Sequence, residues 1–324
     1  MSATVGHPTV ATPAAGARWH RRRLGDIAFR SASLGFALSV LAITALIAVV
    51  LFVASGPARS AFGWRFLWTS TWDPVALHFG ALPFIYGTIA STAIALALAV
   101  PFGLGAAICL AELLPARVAD PLAFLIELLV AVPSVVYGLV GVFVLVPALR
   151  SVEVVIQRFL GFVPIFGGPA YGVGLLTAGV LLAVMVVPFI IAMSREVLLA
   201  VPQPQRDAAL ALGATRWEAV RHIILPYARS GILGSVFLAL ARALGETMAV
   251  TMVIGNRPEI SASLFAPAYT MAAVLANEFT EATGDVYLAA LVEIGLVLFA
   301  ITMIINAAAR LMIARVNMPS PGRA

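Results

Sequence analysis

Apolar residues gather into six runs along this chain, Ser33 to Ala54, Ile85 to Leu110, Leu122 to Leu149, Gly172 to Met193, Ser230 to Ile254 and Tyr287 to Ile313. Each covers the roughly 20 residues that a helix needs to cross a bilayer. The pattern predicts an all-α integral membrane protein with six transmembrane helices. The first run is read as a span and not as a cleaved signal, because a polar basic segment precedes it and it exceeds a signal core.

Between the fourth and fifth runs lies a polar island with a local logic of its own. A first short helix is expected through Asp207 to Leu212, ended by Gly213 in the left-handed position that favours glycine. Thr215 with Glu218 three residues later is a capping box that starts a second helix, with Trp217, Val220 and Ile224 on one side. Pro226 is expected to stop it. Two short helices held at a membrane surface suit the docking of another protein.

Composition agrees with the runs. Hydrophobic residues make up 62% of the chain and charged ones 11%, and the mean hydropathy is +1.04, whereas soluble domains carry about 25% charged residues. All 20 basic residues are arginine. Without a lysine the chain lacks the residue that a P-loop uses to hold phosphate oxygens. The glycine-rich stretch Gly161 to Pro169 is therefore read as a loop, and ATP hydrolysis is assigned to a partner. Cys109 is alone in an apolar run and is read as packing. His7, His20, His78 and His222 have no metal-ligand spacing, so neither a metal nor a cofactor is expected.

The arginines also orient the chain. Arg18, Arg21, Arg22, Arg23 and Arg30 precede the first run, Arg117 follows the second, Arg195, Arg206, Arg216, Arg221 and Arg229 follow the fourth, and Arg310, Arg315 and Arg323 close the sixth. Only Arg59, Arg65, Arg150, Arg158 and Arg257 fall on the other side. The positive-inside rule then places both termini and the Asp207 loop in the cytoplasm. The net charge of +5 reports topology, and no nucleic-acid partner is expected; the Arg18 to Arg23 cluster suits anionic lipid.

The expected organisation is a cytoplasmic disordered tail and interfacial segment over 1–30, a membrane domain over 31–318 that includes the cytoplasmic loop 195–229, and a short tail over 319–324. Phe62, Trp64, Phe66, Trp68 and Trp72 read as an interfacial aromatic belt on the outer side. The last outer loop, Gly255 to Val286, carries Glu259, Glu278, Glu281 and Asp285 and reads as solvated or as a contact for a soluble partner.

Charges inside the runs narrow the chemistry. Arg242 and Glu246 are four residues apart, hence on one face of a continuous helix. A charge at the centre of a membrane helix costs about 2.5 to 3.5 kcal/mol on insertion scales, so the pair should face the bundle interior or a wet path. Arg242 offers a planar set of donors to a phosphate-like anion, and a structural ion pair with Glu246 is the alternative. Glu127 and Glu293, nearer run ends, suit interfacial or inter-subunit pairing. In the third run Pro133 removes a helical hydrogen bond, and a kink there, with Ser134 and Tyr137 turned inward, would shape a gate or serve packing.

Two stretches carry a resemblance. Asp207-Ala208-Ala209, three residues, Gly213, nine residues, Ile223, one residue, Leu225-Pro226 is similar to the EAA loop of ATP-binding cassette (ABC) importer permeases, with Asp207 in place of the usual glutamate. The run Ala239-Leu240-Ala241-Arg242-Ala243-Leu244-Gly245-Glu246-Thr247-Met248-Ala249-Val250, continued by Thr251 to Asn256, resembles the phosphate-specific transport permeases, in their PstC branch more than their PstA branch. Phe79 to Thr88 and Ala131 to Gly138 resemble the starts of the second and third spans of the same family.

The resemblance implies a type I ABC importer permease architecture and a subunit of an ATP-driven importer of inorganic phosphate. It implies a second, PstA-like permease, two PstB-like ATPase subunits and a PstS-like phosphate-binding protein as partners. Asp207, Ala208, Ala209, Gly213, Ile223, Leu225 and Pro226 would couple to the ATPase, and Arg242, Glu246, Thr247, Ser134 and Tyr137 would line the substrate path. The chain itself would be no enzyme. The EAA spacing does not choose among cargoes, and molybdate, sulfate or phosphonate are the competing oxyanions.

Overall fold

The computed structural model describes the backbone of residues 15–317 and the side chains of residues 29–315. The expectations for residues 1–14, for the tail 319–324, for His7 and for the side chains of His20 and the Arg18 to Arg23 cluster lie outside what is described. Among the described residues there is no β-strand, only isolated bridges such as Asp73 with His78. Among the same residues six helices are long and apolar enough to cross a membrane.

The chain divides into two units, Met1–Val53 and Ala54–Ala324. The first holds α1 (Ala15–Ala54). Its segment 19–30, expected to lie along the interface, is the beginning of the same continuous helix. From Leu34 onward its side chains are apolar on every side except Ser39 and Thr44, whose hydroxyls donate to the helix's own carbonyls, as suits a helix solvated by lipid.

The second unit contains α2 (Gly56–Phe62), α3 (Leu82–Ile108), α4 (Ala116–Val130), α5 (Ser134–Val140), α6 (Val146–Leu160), α7 (Leu175–Leu199), α8 (Gln203–Ala211), α9 (Arg216–Ala219), α10 (Leu225–Leu244), α11 (Met248–Thr251), α12 (Met271–Glu278) and α13 (Asp285–Asn317). Short π-helical turns at Cys109–Leu113, Gly141–Leu145 and Val220–Ile224 join some of them. Cys109 opens the first of these turns as a half-buried free thiol.

The principal pair is α3 against α7. Lipid offers apolar side chains no reason to associate, so membrane helices pack through small residues that bring backbones close. On α3 these recur every four residues, Gly87, Ser91, Ala95, Ala99, Gly103 and Ala107, and all are buried. On α7 Gly179 abuts Ile94, and Ile190 fills the space beside Gly103. A side-chain carbon at Gly179 would stand 2.5 Å from Ile94 Cγ2. Deeper in the same cluster lie Leu182, Met185 and Val186 of α7 with Ala239 and Ala243 of α10, and the buried hydroxyls of Ser194 and Ser235 share a 2.8 Å hydrogen bond across α7 and α10.

The structure departs from the sequence expectation in the third and fifth spans. The third span does not kink at Pro133. The chain breaks there, because Pro133 is extended (φ −58°, ψ 138°) and serves as N-cap of α5. The long apolar helix of this region runs from Ser134 to Leu160, so Arg150 and Arg158 lie on its last helical stretch, α6. It also carries Glu153, fully buried, which accepts the Gly172 N–H at 2.9 Å. The fifth span ends at Leu244 and not at Ile254, since Gly245 caps α10 and the chain turns before α11.

The acidic outer loop is a structural element. Phe265, Tyr269 and Met271 to Val274 are buried, and the backbone of 253–268 supplies partners for the start of α7: Gly174 N–H donates to Val253 O, Leu175 to Ala266 O and Leu176 to Leu264 O. Non-helical backbone survives in such a place only when protein satisfies it. The buried N-terminus of α12 is satisfied by two hydroxyls, as Thr88 Oγ1 accepts from Met271 N–H and Thr270 Oγ1 from Ala273 N–H. Burial pushes the Tyr269 phenol up from its ordinary value. Glu278 accepts from Trp72 Nε1 at 2.8 Å and from the Tyr287 hydroxyl at 2.7 Å.

The aromatic belt divides in consequence. Trp64 and Trp68 face outward, while Phe62, Phe66 and Trp72 join the core with Phe79 and Tyr287. Glu293, expected at an interface, is buried within the chain, 3.8 Å from Arg59. Glu127 is exposed on α4.

Candidate functional site: a docking loop and a broken helix

The loop after α7 is built from caps. Pro202 starts α8, and Gly213 ends it at φ +85°. Gly213 N–H donates to Leu210 O at 3.0 Å and Ala214 N–H to Ala209 O at 3.2 Å, the paired bonds of a Schellman motif. Thr215 and Glu218 then form the capping box, with Thr215 N–H donating to Glu218 Oε2 at 2.8 Å and Glu218 N–H to Thr215 Oγ1 at 3.3 Å.

Two details differ from the sequence reading. Pro226 does not end the second helix; it sits in the first turn of α10, which continues into the fifth span. The π-turn Val220–Ile224 just before it relaxes the backbone where the proline ring would crowd a preceding carbonyl. Trp217 also separates from Val220 and Ile224: those two are buried, whereas Trp217 is 55% exposed.

The motif residues divide by direction. Ala209 is buried and Leu225 partly so, while Asp207, Ala208, Gly213, Ile223 and Pro226 are exposed. Asp207 accepts from Gln203 Nε2 at 3.1 Å one turn earlier. Leu212, 90% exposed, and Trp217 stand out from the loop as apolar side chains without cover.

Arg206, next to the motif, is a site residue that the sequence reading does not single out. Its Nη1 donates to both oxygens of Glu112 at 2.7 Å, its Nη2 to Leu198 O at 2.6 Å and its Nε to Val201 O at 3.4 Å. The available signal was a carboxylate at the end of the second run and an arginine beside the motif, but 94 residues separate them.

The second place is the interruption of the fifth span. Gly245 ends α10, so Arg242 and Glu246 do not share a helical face. Glu246 turns forward and accepts the Ala249 N–H of α11 at 3.2 Å. Arg242 lies over the Phe189 ring, 5.7 Å from its centroid, a cation–π arrangement. Among the described residues Arg242 makes no ion pair. The structural pair with Glu246, the alternative reading of these two residues, is not formed.

Of the other expected path residues, Thr247 lies in this break and Tyr137 reaches it from α5. α5 packs on α11 so closely that a side-chain carbon at Gly138 would meet Met252 Sδ at 2.5 Å and Ala249 Cα at 3.2 Å. Tyr137 lies within electrostatic reach of Arg242, packs against the principal core and donates its hydroxyl to Leu129 O at 2.8 Å. Ser134 begins α5, and Thr247 precedes α11 with its carbonyl accepting from the Thr251 hydroxyl. Arg242, Glu246, Thr247, Ser134 and Tyr137 are all half-buried.

Residues 99–318 match the family model described as binding-protein-dependent transport system inner membrane component. A phosphate transport system permease protein PstC from Mesorhizobium japonicum is 47% identical over 303 residues, covering 92% of either chain. One from Haemophilus influenzae is 43% identical over 294 residues, 89% of this chain and 93% of that protein. Among solved structures, the MetNI methionine ABC transporter in an inward-facing conformation aligns with a TM-score of 0.53 and 17% identity, over 76% of this chain and all of that one, a likeness of fold. With six helices able to span a bilayer and a family match that includes both the capped loop and the broken fifth span, this chain belongs to the inner membrane components of binding-protein-dependent ABC transport systems, in the PstC group of permeases.

Proposed function

We propose that this chain is a membrane-spanning subunit of an ATP-driven importer of inorganic phosphate, forming the path with a second permease and receiving its drive through the loop from α8 to α10. The observation that carries the reading is Arg242. Its relatives bear the name of phosphate permeases, and here the guanidinium in the broken span is left without a carboxylate while Glu246 caps α11. A planar fork of donors matches a tetrahedral oxyanion in geometry and charge. The neighbouring Glu246 and Phe189 hold the affinity to a level from which the ion departs.

The loop supports the other half. A chain without lysine has no means to cradle ATP in a P-loop, so hydrolysis falls to partner ATPases. The exposed Leu212, Gly213 and Trp217 form an apolar projection on an otherwise polar segment, as a surface that docks into a protein cleft requires. A PstB-type pair of ATPases and a PstS-type binding protein complete the assembly.

Uptake of labelled phosphate in cells lacking this chain and any redundant system tests the reading, with sulfate and molybdate as controls. Phosphate uptake is expected to fall to background while the other two anions are unaffected. Unchanged phosphate uptake, or loss of sulfate or molybdate uptake instead, would overturn the cargo.

A further inference from the structure

The position of α8 depends on one side chain. Among its nine residues only Ala209 is buried, so apolar packing holds this helix weakly. Beside it is an open cavity bordered by both loop-side π-turns, through Ala111 and Glu112 of one and Val220 and Ile224 of the other. Arg206 bridges the gap. It leaves α8, pairs with both oxygens of Glu112 in the π-turn that ends span two, and donates to the carbonyls of Leu198 and Val201 where span four ends.

The environment makes this connection stiff. The Arg206 and Glu112 side chains are 13% and 8% exposed, and a charge-assisted, two-oxygen contact fixes direction as well as distance. Both carbonyls stand at the end of span four, and that of Leu198 also accepts the Val201 N–H at 3.2 Å. The π-turn Cys109–Leu113 carries Glu112 at the point where span two meets the cavity.

We propose that Arg206 is a positioning residue that makes the docking helix α8 move as one body with the loop-side ends of spans two and four, through Glu112, so that motion of a docked ATPase reaches the path. The inference rests on the docking role proposed above. Without the clamp, α8 keeps its outward docking face, formed by other residues, but its displacement is taken up in the cavity.

The test uses the complete transporter, with its sister permease, ATPases and binding protein, reconstituted in vesicles, and measures labelled phosphate moved per ATP hydrolysed. Arg206→Ala is expected to retain the ATPase and its hydrolysis while the phosphate-to-ATP ratio falls on the order of tenfold, the scale of a site-to-site coupling. Arg206→Lys, which keeps the charge but loses the fork, is expected to fall in the same direction, and the swap Arg206→Glu with Glu112→Arg to recover part of the ratio. A ratio equal to that of the unaltered chain in Arg206→Ala and Arg206→Lys, whether both rates are intact or have fallen together, would overturn the proposal. Gly213→Trp, assayed in parallel for retention of the ATPase, separates this from the docking reading: an ATPase that stays bound and drives transport would sink the docking role itself, whatever the Arg206 variants do.

Discussion

Arg242 places a guanidinium two residues before the end of the fifth span, where a half-buried charge needs compensation. Glu246 is the carboxylate that sequence places nearest, yet it spends an oxygen on the Ala249 N–H. The Phe189 ring offers Arg242 partial compensation, on the order of 0.5 to 2 kcal/mol for such contacts, which leaves the charge short of a full partner. Under the proposed function a mobile anion would supply the remainder, and only while it is bound. Arg242→Gln removes the charge and keeps a polar, hydrogen-bonding side chain. The expected result is loss of phosphate import with assembly intact, read by uptake beside co-purification of the subunits; loss of assembly would instead mark Arg242 as structural. The position of this residue was legible from its sequence neighbours, but its geometry was not, because the same-face argument assumed a continuous helix. Gly245 was the available clue, and an apolar run on either side concealed it.

Elements were legible to the degree that their causes are local. The Schellman turn at Gly213 and the capping box of Thr215 and Glu218 depend on a few consecutive residues, and both are formed. The six long helices depend on summed hydropathy and are likewise present. Breaks within apolar segments are harder, because residues 248–254 and 265–274 are apolar through contact with protein, which hydropathy cannot tell from contact with lipid. Phe265 and Met271 are fully buried for that reason. The Arg206 clamp joins residues far apart in sequence and left no local trace.

The α3 to α7 interface offers a direct test of an element. Gly179 has Ile94 within 2.5 Å of where its side chain would begin, so Gly179→Leu must separate the two helices. Overpacking of a fitted interior costs about 1 to 3 kcal/mol or more. The variant is expected to lower the thermal midpoint of the detergent-purified protein and to reduce its yield in the membrane, whereas Gly105→Leu on the same helical pair, with open space at that position, should do neither. Equal midpoints for the two variants would contradict the close packing.

At the scale of the molecule the two sites have different dependences. The loop lies where spans two, four and five meet, in a core made of Leu110, Leu198, Val220 and Ile224. The break around Arg242 lies in another core, shared by α3, α7, α10 and α11. α7 and α10 contribute to both, so a displacement imposed on the loop has two continuous helices along which to travel. Ser194 and Ser235 bind those helices to each other on the way. Under the proposed function a partner would hydrolyse ATP, the capped loop would receive the motion, and the broken fifth span would carry the arginine that meets the anion.

The most direct measurement is accumulation of labelled phosphate by vesicles that contain the reconstituted complex with its binding protein, in the presence and absence of ATP, beside the same complex carrying Arg242→Gln. The account predicts ATP-dependent accumulation of phosphate in preference to sulfate and molybdate, abolished by the substitution while the complex remains whole. Accumulation of phosphate without ATP, its absence with ATP, or undiminished transport by the Arg242→Gln complex would contradict it.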